Sequence, residues 1–585
     1  MEDPLHIANA FNNFFANIGP RLAQTIQYNG HKNVSSFLLQ RVMFSFEFDV
    51  VTEDTVGKYI DKLAPKTSCG YDDISTKLLK RIKDIILEYL TVIINQSLMT
   101  GIFPDRLKIA KVIPLFKKDD PHILDNYRPI SLLPSISKVF EKVVFFQTYE
   151  YFNKNKLINY SQYGFRKLHS TELASLELTD SLLQHLDAGR IPISVFLDLS
   201  KAFDTLDHFI LIEKLSYYGV SGSALRWFTS YLSNLQRFVD ISGSKSDILP
   251  LSTGVPQGSI LGPLLFIIYM NDISVACSNF KAILYADDTN LISSLCSFNT
   301  NVYPCDVNPN DISNNINVEL KAIQEWLLIN KLSLNIKKTK FMVFHHPQRN
   351  IENIVPRLKF HDTEVERVSE FNFLGLTIDE HLSWRPHQDK ISSKLSRTIG
   401  VLNRLKRQLP SYILRMLYNS LILPFLQYSV LCWGYNVTRI TKLQKRAIRV
   451  ITNAKYNAHT EPLFKKMNLL KFNDMFDICA LKIYYRLLDG SLPYYVQNIF
   501  TLDDRTRRYE TRLQTELPYF YPKTSVAKKC IRFYLPRFIS ELSTNIKDKA
   551  VTHSYDGFSR YARNMAINSY SLDCTVNDCY VCHNQ

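Results

Sequence analysis

The chain has 585 residues, a formal net charge of +15, and 46% hydrophobic and 12% aromatic residues. That length predicts two to four domains, and the composition excludes a disordered chain. The basic balance points to a polyanionic partner, nucleic acid first, with a generic basic surface as the plain alternative. No apolar run reaches the eighteen or so residues of a membrane span, so no membrane association is expected. The acidic start "MEDPLHIANAF" lacks an export signal, which predicts an intracellular protein of nucleus or cytoplasm. Cysteines 69, 277, 296, 305, 432, 479 and 530 are scattered singly, as expected of free thiols in a reducing compartment.

In chain order, Ile7, Phe11, Phe14, Phe15 and Ile18 fall at helical spacing, and Gly19-Pro20 is expected to end that helix. Residues 28–70 read as mixed strand and loop, and 75–98 as an amphipathic helix. From about residue 105, short apolar runs ("KVIPLF", "ISVFLDL", "AILYADD") alternate with helical patterns, which predicts an α+β domain. From about residue 385 the pattern becomes helical and basic. In 438–451, Ile440, Leu443, Ala447, Ile448 and Ile451 share one side, while Arg439, Lys442, Lys445, Arg446 and Arg449 take the rest. That basic side is either a solvated face or a phosphate-contacting one.

"AILYADDTNLISSL" reads as strand, tight turn, strand, with Asp287 and Asp288 at the turn. Alone, such a pair is an ordinary turn. Adjacent carboxylates in a partly buried turn are tolerated best when a cation neutralises them. "ISVFLDLSKAFDTLDH" supplies a third acid, Asp198, at the end of a buried strand Ile193–Leu197; alone it would serve as a helix N-cap. If the two strands lie side by side, the acids could hold two divalent ions for in-line displacement at phosphorus. Hard oxygen ligands favour Mg²⁺, with Mn²⁺ as a substitute. Gly254 and Gly258 of "GVPQGSILGPLLF" permit close backbone approach, and Ser259 can cap the apolar helix that follows. Lys117, Lys118 and Arg128 lie on a candidate hairpin, where the planar fork of Arg128 suits a triphosphate; singly, each reads as surface.

Taken in order, these stretches resemble the reverse transcriptases of non-LTR (LINE-like) retrotransposons, the jockey type above all. The resemblance runs through "FPDRLKIAKVIPLFKKDD", "NYRPISLLPSISKVFEK", "SQYGFRKLHST", "VFLDLSKAFDTLDH", "GVPQGSILGPLLFIIYMND", "LYADDTN", "NKLSLNIKKTKFMVF" and "FNFLGLTIDEHLSW". It continues through "LQKRAIRVIT" and "AHTEPLF", covering roughly residues 1–500. It implies an α+β right-hand polymerase with fingers, a palm built on an antiparallel sheet, a helical thumb and mainly helical flanks. The implied division is a lead segment 1–95, a reverse transcriptase domain 96–380, a basic thumb and connection 381–500, and a tail 501–585 of unknown role.

The implied activity is RNA-directed DNA polymerisation: dNTPs added to a DNA 3′ end on an RNA template by a two-metal nucleotidyl transfer. Asp198, Asp287 and Asp288 match the family's catalytic acids, with Asp288 supporting the site. Phe203 matches the steric gate against a ribose 2′-hydroxyl. Lys117 and Arg128 match triphosphate contacts, and Gln257 and Gly258 line nucleotide and template. Lys338 matches a lysine near the leaving pyrophosphate, with Lys337 as its rival. Leu374 and Gly375 match the primer-grip turn, and Gly164, Phe165 and Arg166 a template-ordering segment; plain core and turn structure is the alternative for both groups.

Leu235-Gln236-Arg237 stands where the family usually has Arg-x-Gln, which would weaken a template or primer contact. No endonuclease and no RNase H-like constellation is evident. The tail "CTVNDCYVCHNQ" carries Cys574, Cys579, Cys582 and His583. Its haem-attachment string is set aside without an export signal, and the cramped spacing argues against a zinc site. Two other readings are a relic that grips RNA without polymerising, disfavoured by the intact acids, and a group II intron type enzyme, disfavoured by the jockey-like thumb and the lack of a maturase-like segment.

Overall fold

The computed structural model describes residues 3–571 apart from 25, 27, 29, 39–43, 278, 295–308, 353–354, 361, 436 and 501–516. The cysteine-rich tail therefore lies outside the described residues. The fold mixes helices and sheets. Its strands are β1 (Ile109–Phe116), β2 (Tyr127–Leu132), β3 (Pro192–Leu197), β4 (Gln236–Ile241), β5 (Ser244–Lys245), β6 (Leu249–Pro250) and β7 (Lys281–Tyr285). They continue as β8 (Asp288–Ser294), β9 (Lys340–Val343), β10 (Lys359–Phe360), β11 (Thr363–Glu364), β12 (Glu366–Arg367), β13 (Glu370–Phe373) and β14 (Leu376–Asp379).

One sheet has the order β2-β1-β4-β5, with β6 also on β4; β1 runs antiparallel to β2 and parallel to β4. A second has the order β12-β9-β3-β8-β7, in which β3 is antiparallel to both neighbours. β10–β11 and β13–β14 are separate hairpins.

The second sheet is covered on both faces, and side-chain alternation shows how. Ile193, Val195, Ala282, Leu284, Leu291, Phe341 and Val343 enter a core shared with helices between residues 53 and 329. Phe196, Ile283, Ile292 and Met342 point the other way, into a core shared with the helices from Arg385 onward. This is the period of two along a strand, and it explains why every residue of β3 is buried. Phe196 also stacks on Phe371 of the β13–β14 hairpin, with ring centroids 4.0 Å apart.

Three expectations are corrected. The first helix, Pro4–Gln24, runs through Gly19-Pro20. Its apolar face packs on Val112 and Val239, and Gly19 lies tightly against Thr253 and the Asp204 carbonyl, so tertiary packing overrides the helix-breaking pair. Within 28–70, Glu53–Asp61 is a helix, capped by Thr52 and opened by two acids. The pattern over 75–98 is two helices, Thr76–Arg81 and Lys83–Thr100, broken at Ile82.

Residues 34–98 contribute to the first core, and the helices Ile531–Glu541, Thr544–Thr552 and Tyr555–Asn568 contribute to the second. The latter are tied to the helix Thr171–Asp187: Asp187 accepts from the amides of Lys523 and Thr524 (both 2.8 Å) and from the Thr524 hydroxyl (3.0 Å), and Arg532 pairs with Asp180 at 2.8 Å. Among the described residues, no helix is long and apolar enough to cross a membrane.

Asp187→Ala strips an acceptor from three donors at once. A loss of about 1–3 kcal/mol is expected. Limited trypsin digestion should show faster cleavage around Lys523, with the remainder of the chain equally resistant.

Candidate active site

The register pairs Leu197 with Thr289 and Tyr285 with Asp288, bringing the end of β3 beside the β7–β8 turn. Asp198 follows β3 directly, Ala286 and Asp287 form the turn, and Asp288 opens β8. The amide of Asp198 donates to Thr339 Oγ1 at 3.3 Å, and its carbonyl accepts from Asn335 at 2.8 Å. Asp198 is thus not a helix cap; the next α-helix starts at His208, capped by Asp207.

The turn is held from below. Ala286 takes a φ of 56°, a left-handed conformation costly for a residue with a Cβ. The segment Ser161–Gly164 runs beside β7, with Leu284 donating to the Ser161 carbonyl (2.9 Å) and Tyr163 to the Leu284 carbonyl (2.7 Å). The buried Gln162 turns its Oε1 to the amides of Gly164 (2.7 Å) and Ala286 (3.2 Å). A Cβ on Gly164 would collide with the main-chain nitrogen of Ala286. Glycine is required there because one backbone crosses another next to Asp287.

Asp287 and Asp288 open to solvent on their outer side but are walled in on the other. The crowding raises the Asp287 pKa; Asp198 adds to the rise, and Arg128 and Lys117 oppose it. Asp288 is pushed up to about 6, by burial first and then by Asp287 and Asp198. Opposite them stand the cations. Lys338 Nζ is 3.7 Å from Asp198 Oδ2. Lys117 and Arg128 sit at the loop end of the β1–β2 hairpin, where Lys117 donates its amide to the Asn126 carbonyl at 2.9 Å. The Lys117 pKa is lowered by burial and then by Arg128, Lys338, Lys118 and Lys201, which makes this a basic cluster facing an acidic one.

The loop Gly254–Gly258 joins the two sides. Gly254 donates to the Leu206 carbonyl (2.8 Å) and Val255 to the Phe203 carbonyl (3.0 Å), while the Gln257 carbonyl accepts from Ser131 of β2 (2.8 Å). Gly254 (φ 78°) and Gly258 (φ 130°) both need the conformational freedom of glycine, and a Cβ would fall 2.7 Å from Asp204 Cα and 2.5 Å from the Ser131 carbonyl respectively. Ser259 accepts from the Gly262 amide at 3.0 Å but is not the expected cap: the helix Gly262–Tyr269 has Leu261 at its N-cap, with no side-chain cap bond. Phe203 is half-buried, stacked on Phe266 at 4.4 Å and met edge-on by Phe165 at 6.1 Å.

Other predicted residues turn elsewhere. Arg166 points inward, with Nη1 donating to the Asn159 (3.1 Å) and Gln162 (3.2 Å) carbonyls, so it braces the segment that supports the turn. Leu374 and Gly375 form a two-residue turn with φ values of 46° and 86° between β13 and β14. The Tyr428 hydroxyl donates to the Leu374 carbonyl.

Gln162 and Asp204 had escaped the sequence reading, and Arg237 entered it only as part of the departure at 235–237. Gln162 braces the turn. Asp204, adjacent to Phe203, accepts from Gln257 Nε2 at 2.9 Å. Burial lifts the Asp204 pKa to about 6, and the charge of Arg237, 4% exposed, opposes that rise. Their signal was present in "KAFDTLDH" and in the departure at 235–237, but only the fold brings Asp204, Arg237 and Gln257 together.

Residues 116–378 match the family model for reverse transcriptase (RNA-dependent DNA polymerase). The chain is 28% identical over 488 residues to the probable RNA-directed DNA polymerase from transposon BS of Drosophila melanogaster, covering 79% of this chain and 50% of that protein. It is 25% identical over 492 residues to the RNA-directed DNA polymerase from mobile element jockey of Drosophila funebris, covering 81% and 52%. It is also 25% identical over 435 residues to the probable RNA-directed DNA polymerase from transposon X-element of Drosophila melanogaster, covering 71% and 45%. The chain thus spans about half the length of the curated relatives it matches.

A carboxyl whose folded pKa is raised favours folding at low pH, and that contribution is lost as pH rises through about 6. Above that pH the charged Asp288 works against the fold in the absence of a counter-cation. Asp288→Asn should therefore raise the thermal midpoint in EDTA, by more at pH 8 than at pH 5. Scanning calorimetry at both pH values checks this; a gain that is larger at pH 5 would refute it.

Proposed function

We propose that this chain, whose residues 116–378 are a reverse transcriptase domain akin to those of jockey-type non-LTR retrotransposons, is an RNA-directed DNA polymerase. It extends a DNA 3′ end on an RNA template with dNTPs. The observation that carries this reading is the meeting of Asp198 with Asp287 and Asp288 at the ends of neighbouring antiparallel strands, opposite Lys117 and Arg128.

The donors suit hard divalent cations: they are carboxylate oxygens, crowded enough that two have raised pKa values. Bound there by Asp198, Asp287 and Asp288, two Mg²⁺ ions, or Mn²⁺ in their place, would supply Lewis acidity at the reacting phosphate. Lys117 and Arg128 receive the triphosphate, since both are cationic and converge at the loop end of the β1–β2 hairpin. Phe203 is wedged against Phe266, so its ring cannot swing away from a 2′-hydroxyl, and it selects deoxynucleotides. Gln257, held by Asp204, and Gly258 line the nucleotide and template. In the reaction the primer 3′-oxygen attacks the α-phosphorus and loses its proton to solvent as the bond to pyrophosphate breaks. Lys338, beside Asp198, offsets the negative charge of the departing pyrophosphate.

In this reading the β3-containing sheet is the palm and the hairpin β1–β2 belongs to the fingers, within 96–380. The helices of 381–500 are the thumb, 1–95 a lead segment and 501–585 a C-terminal tail. Lys442, Lys445 and Arg446 stay exposed on the helix Thr438–Ile451, whereas Arg439 pairs with Asp389 and Arg449 donates to the Ala458 carbonyl. The exposed three meet phosphates of the A-form RNA–DNA duplex. The turn Leu374-Gly375 grips the primer, and Gly164, Phe165 and Arg166 set the template path by supporting the catalytic turn.

Primer extension on poly(rA)/oligo(dT) with Mg²⁺ should proceed with the wild type and fall by at least about 10³-fold in Asp287→Ala. RNA binding and folding should stay intact in that variant. Failure of both proteins to extend, with RNA still bound, would favour an RNA-gripping relic. Phe203→Ala should lower dNTP-over-rNTP selectivity by about tenfold or more in single-nucleotide extension; unchanged selectivity would remove the gate.

A further inference from the structure

Two chain segments meet where the β3-containing sheet gives way to the hairpin and helices that follow it. One is Phe344–His346, directly after β9; the other is Glu380–His381, directly after β14. Phe344 still donates its amide to the carbonyl of Pro192, the first residue of β3, at 2.9 Å, but the next amide, that of His345, donates to the Glu380 carbonyl at 3.1 Å. The main chain thus fixes the two segments against each other.

The side chains converge as well. Ligand atoms of His345, Glu380 and His381 lie within 4.8 Å of one another. His345 Nδ1 lies 2.9 Å from the His346 carbonyl, and His381 Nδ1 lies 3.0 Å from the His345 carbonyl. A carbonyl can only accept, so both rings carry their proton on Nδ1, and each presents a bare Nε2 lone pair. His345 Nε2 is 3.8 Å from Glu380 Oε2, too far for a hydrogen bond, so the carboxylate does not take up its lone pair. The rings stand nearly perpendicular, at 80°, with centroids 4.6 Å apart, so they do not stack. His345 is buried, so its ring is held in place by the surrounding packing. Arg367 donates to Glu380 Oε2 at 2.9 Å. It orients the carboxylate, as partners behind metal ligands do, and the other oxygen has no arginine partner.

We propose that His345, Glu380 and His381 form a binding site for a transition-metal cation of the zinc type, distinct from the carboxylate site. Two imidazoles and one carboxylate are a known zinc donor set, with a water completing the tetrahedron, and imidazole nitrogens disfavour Mg²⁺. The ion would clip β9 to the segment leading into the helix Arg385–Leu405, closing the loop between residues 345 and 380. Its role is structural: it fixes the β13–β14 hairpin relative to the sheet that bears Asp198.

Two variants keep the local hydrogen bonds while deleting a ligand. His381→Asn retains a side-chain N–H at the Nδ1 position, and Glu380→Gln retains an oxygen for Arg367. The full chain, stripped with EDTA, is titrated with Zn²⁺ against a chromogenic chelator, with millimolar Mg²⁺ present. The wild type should bind one equivalent more than either variant, or bind that equivalent at least about tenfold more tightly. Zn²⁺ should also raise the wild type's thermal midpoint more than the variants', while all three melt alike in EDTA. Equal zinc stoichiometry and affinity in the three proteins would overturn the proposal, because the zinc would then be held elsewhere, for example by the C-terminal cysteines. A variant that melts lower in EDTA is replaced by His345→Asn, and the same two outcomes decide.

Discussion

Like-charge repulsion between Asp198, Asp287 and Asp288 is the constraint around which this molecule is arranged. Three carboxylates in one crowded place cost free energy: burial first, and then their mutual repulsion, raises the pKa values of Asp287 and Asp288. They stay together because the backbone does not let them part. β3 is locked between β8 and β9 by antiparallel ladders, and the turn at 286–287 rests on Gly164 and on the side-chain oxygen of Gln162. Both faces of the sheet are covered by helical layers, so its strands have nowhere to relax. The strain at Ala286 belongs to the same arrangement: a left-handed residue persists where its surroundings over-determine it.

The cations and the glycine loop make that centre usable. Lys117, Arg128 and Lys338 face the acids without cancelling them, since Lys338 approaches Asp198 only to 3.7 Å. The Gly254–Gly258 loop bonds to the turn after Asp198 on one side and to β2 on the other, so the two sheets are held in one geometry. Buried behind it, Arg237 acts by its charge on Asp204, which in turn orients Gln257.

What could be read from the sequence was local. "AILYADDTNLISSL" shows its strands and a tight turn by period and turn chemistry, although the turn is Ala286-Asp287 and Asp288 already opens β8, and β3 shows its burial by an unbroken apolar run. Gly254 and Gly258 were legible as close-approach points because only glycine tolerates their backbone angles. The misreadings arose where local signals compete with packing. Gly19-Pro20 looks like a helix end, yet a tight fit against residues 204 and 253 carries the helix onward. The helix Glu53–Asp61 did carry a cap and two leading acids, but its apolar residues are too few to stand out in a mixed stretch. Partners far apart in the chain, such as Gln162 with Ala286 or Arg237 with Asp204, leave no mark in a single sequence.

The docking of the first helix bears on how the chain is made. Asn12 donates to the carbonyl of Asp247, a partner 235 residues downstream, at 2.7 Å. Phe11 and Phe15 cover Val112 and Val239, from two strands of one sheet. During synthesis at about 5–20 residues per second, roughly ten to fifty seconds pass before that surface has left the ribosome. Throughout that interval a helix with a strongly apolar face waits without its native cover. Nascent chains should therefore be most prone to capture by chaperones, or by one another, before β4 emerges, and a pause in translation ahead of residue 236 would lengthen that exposure.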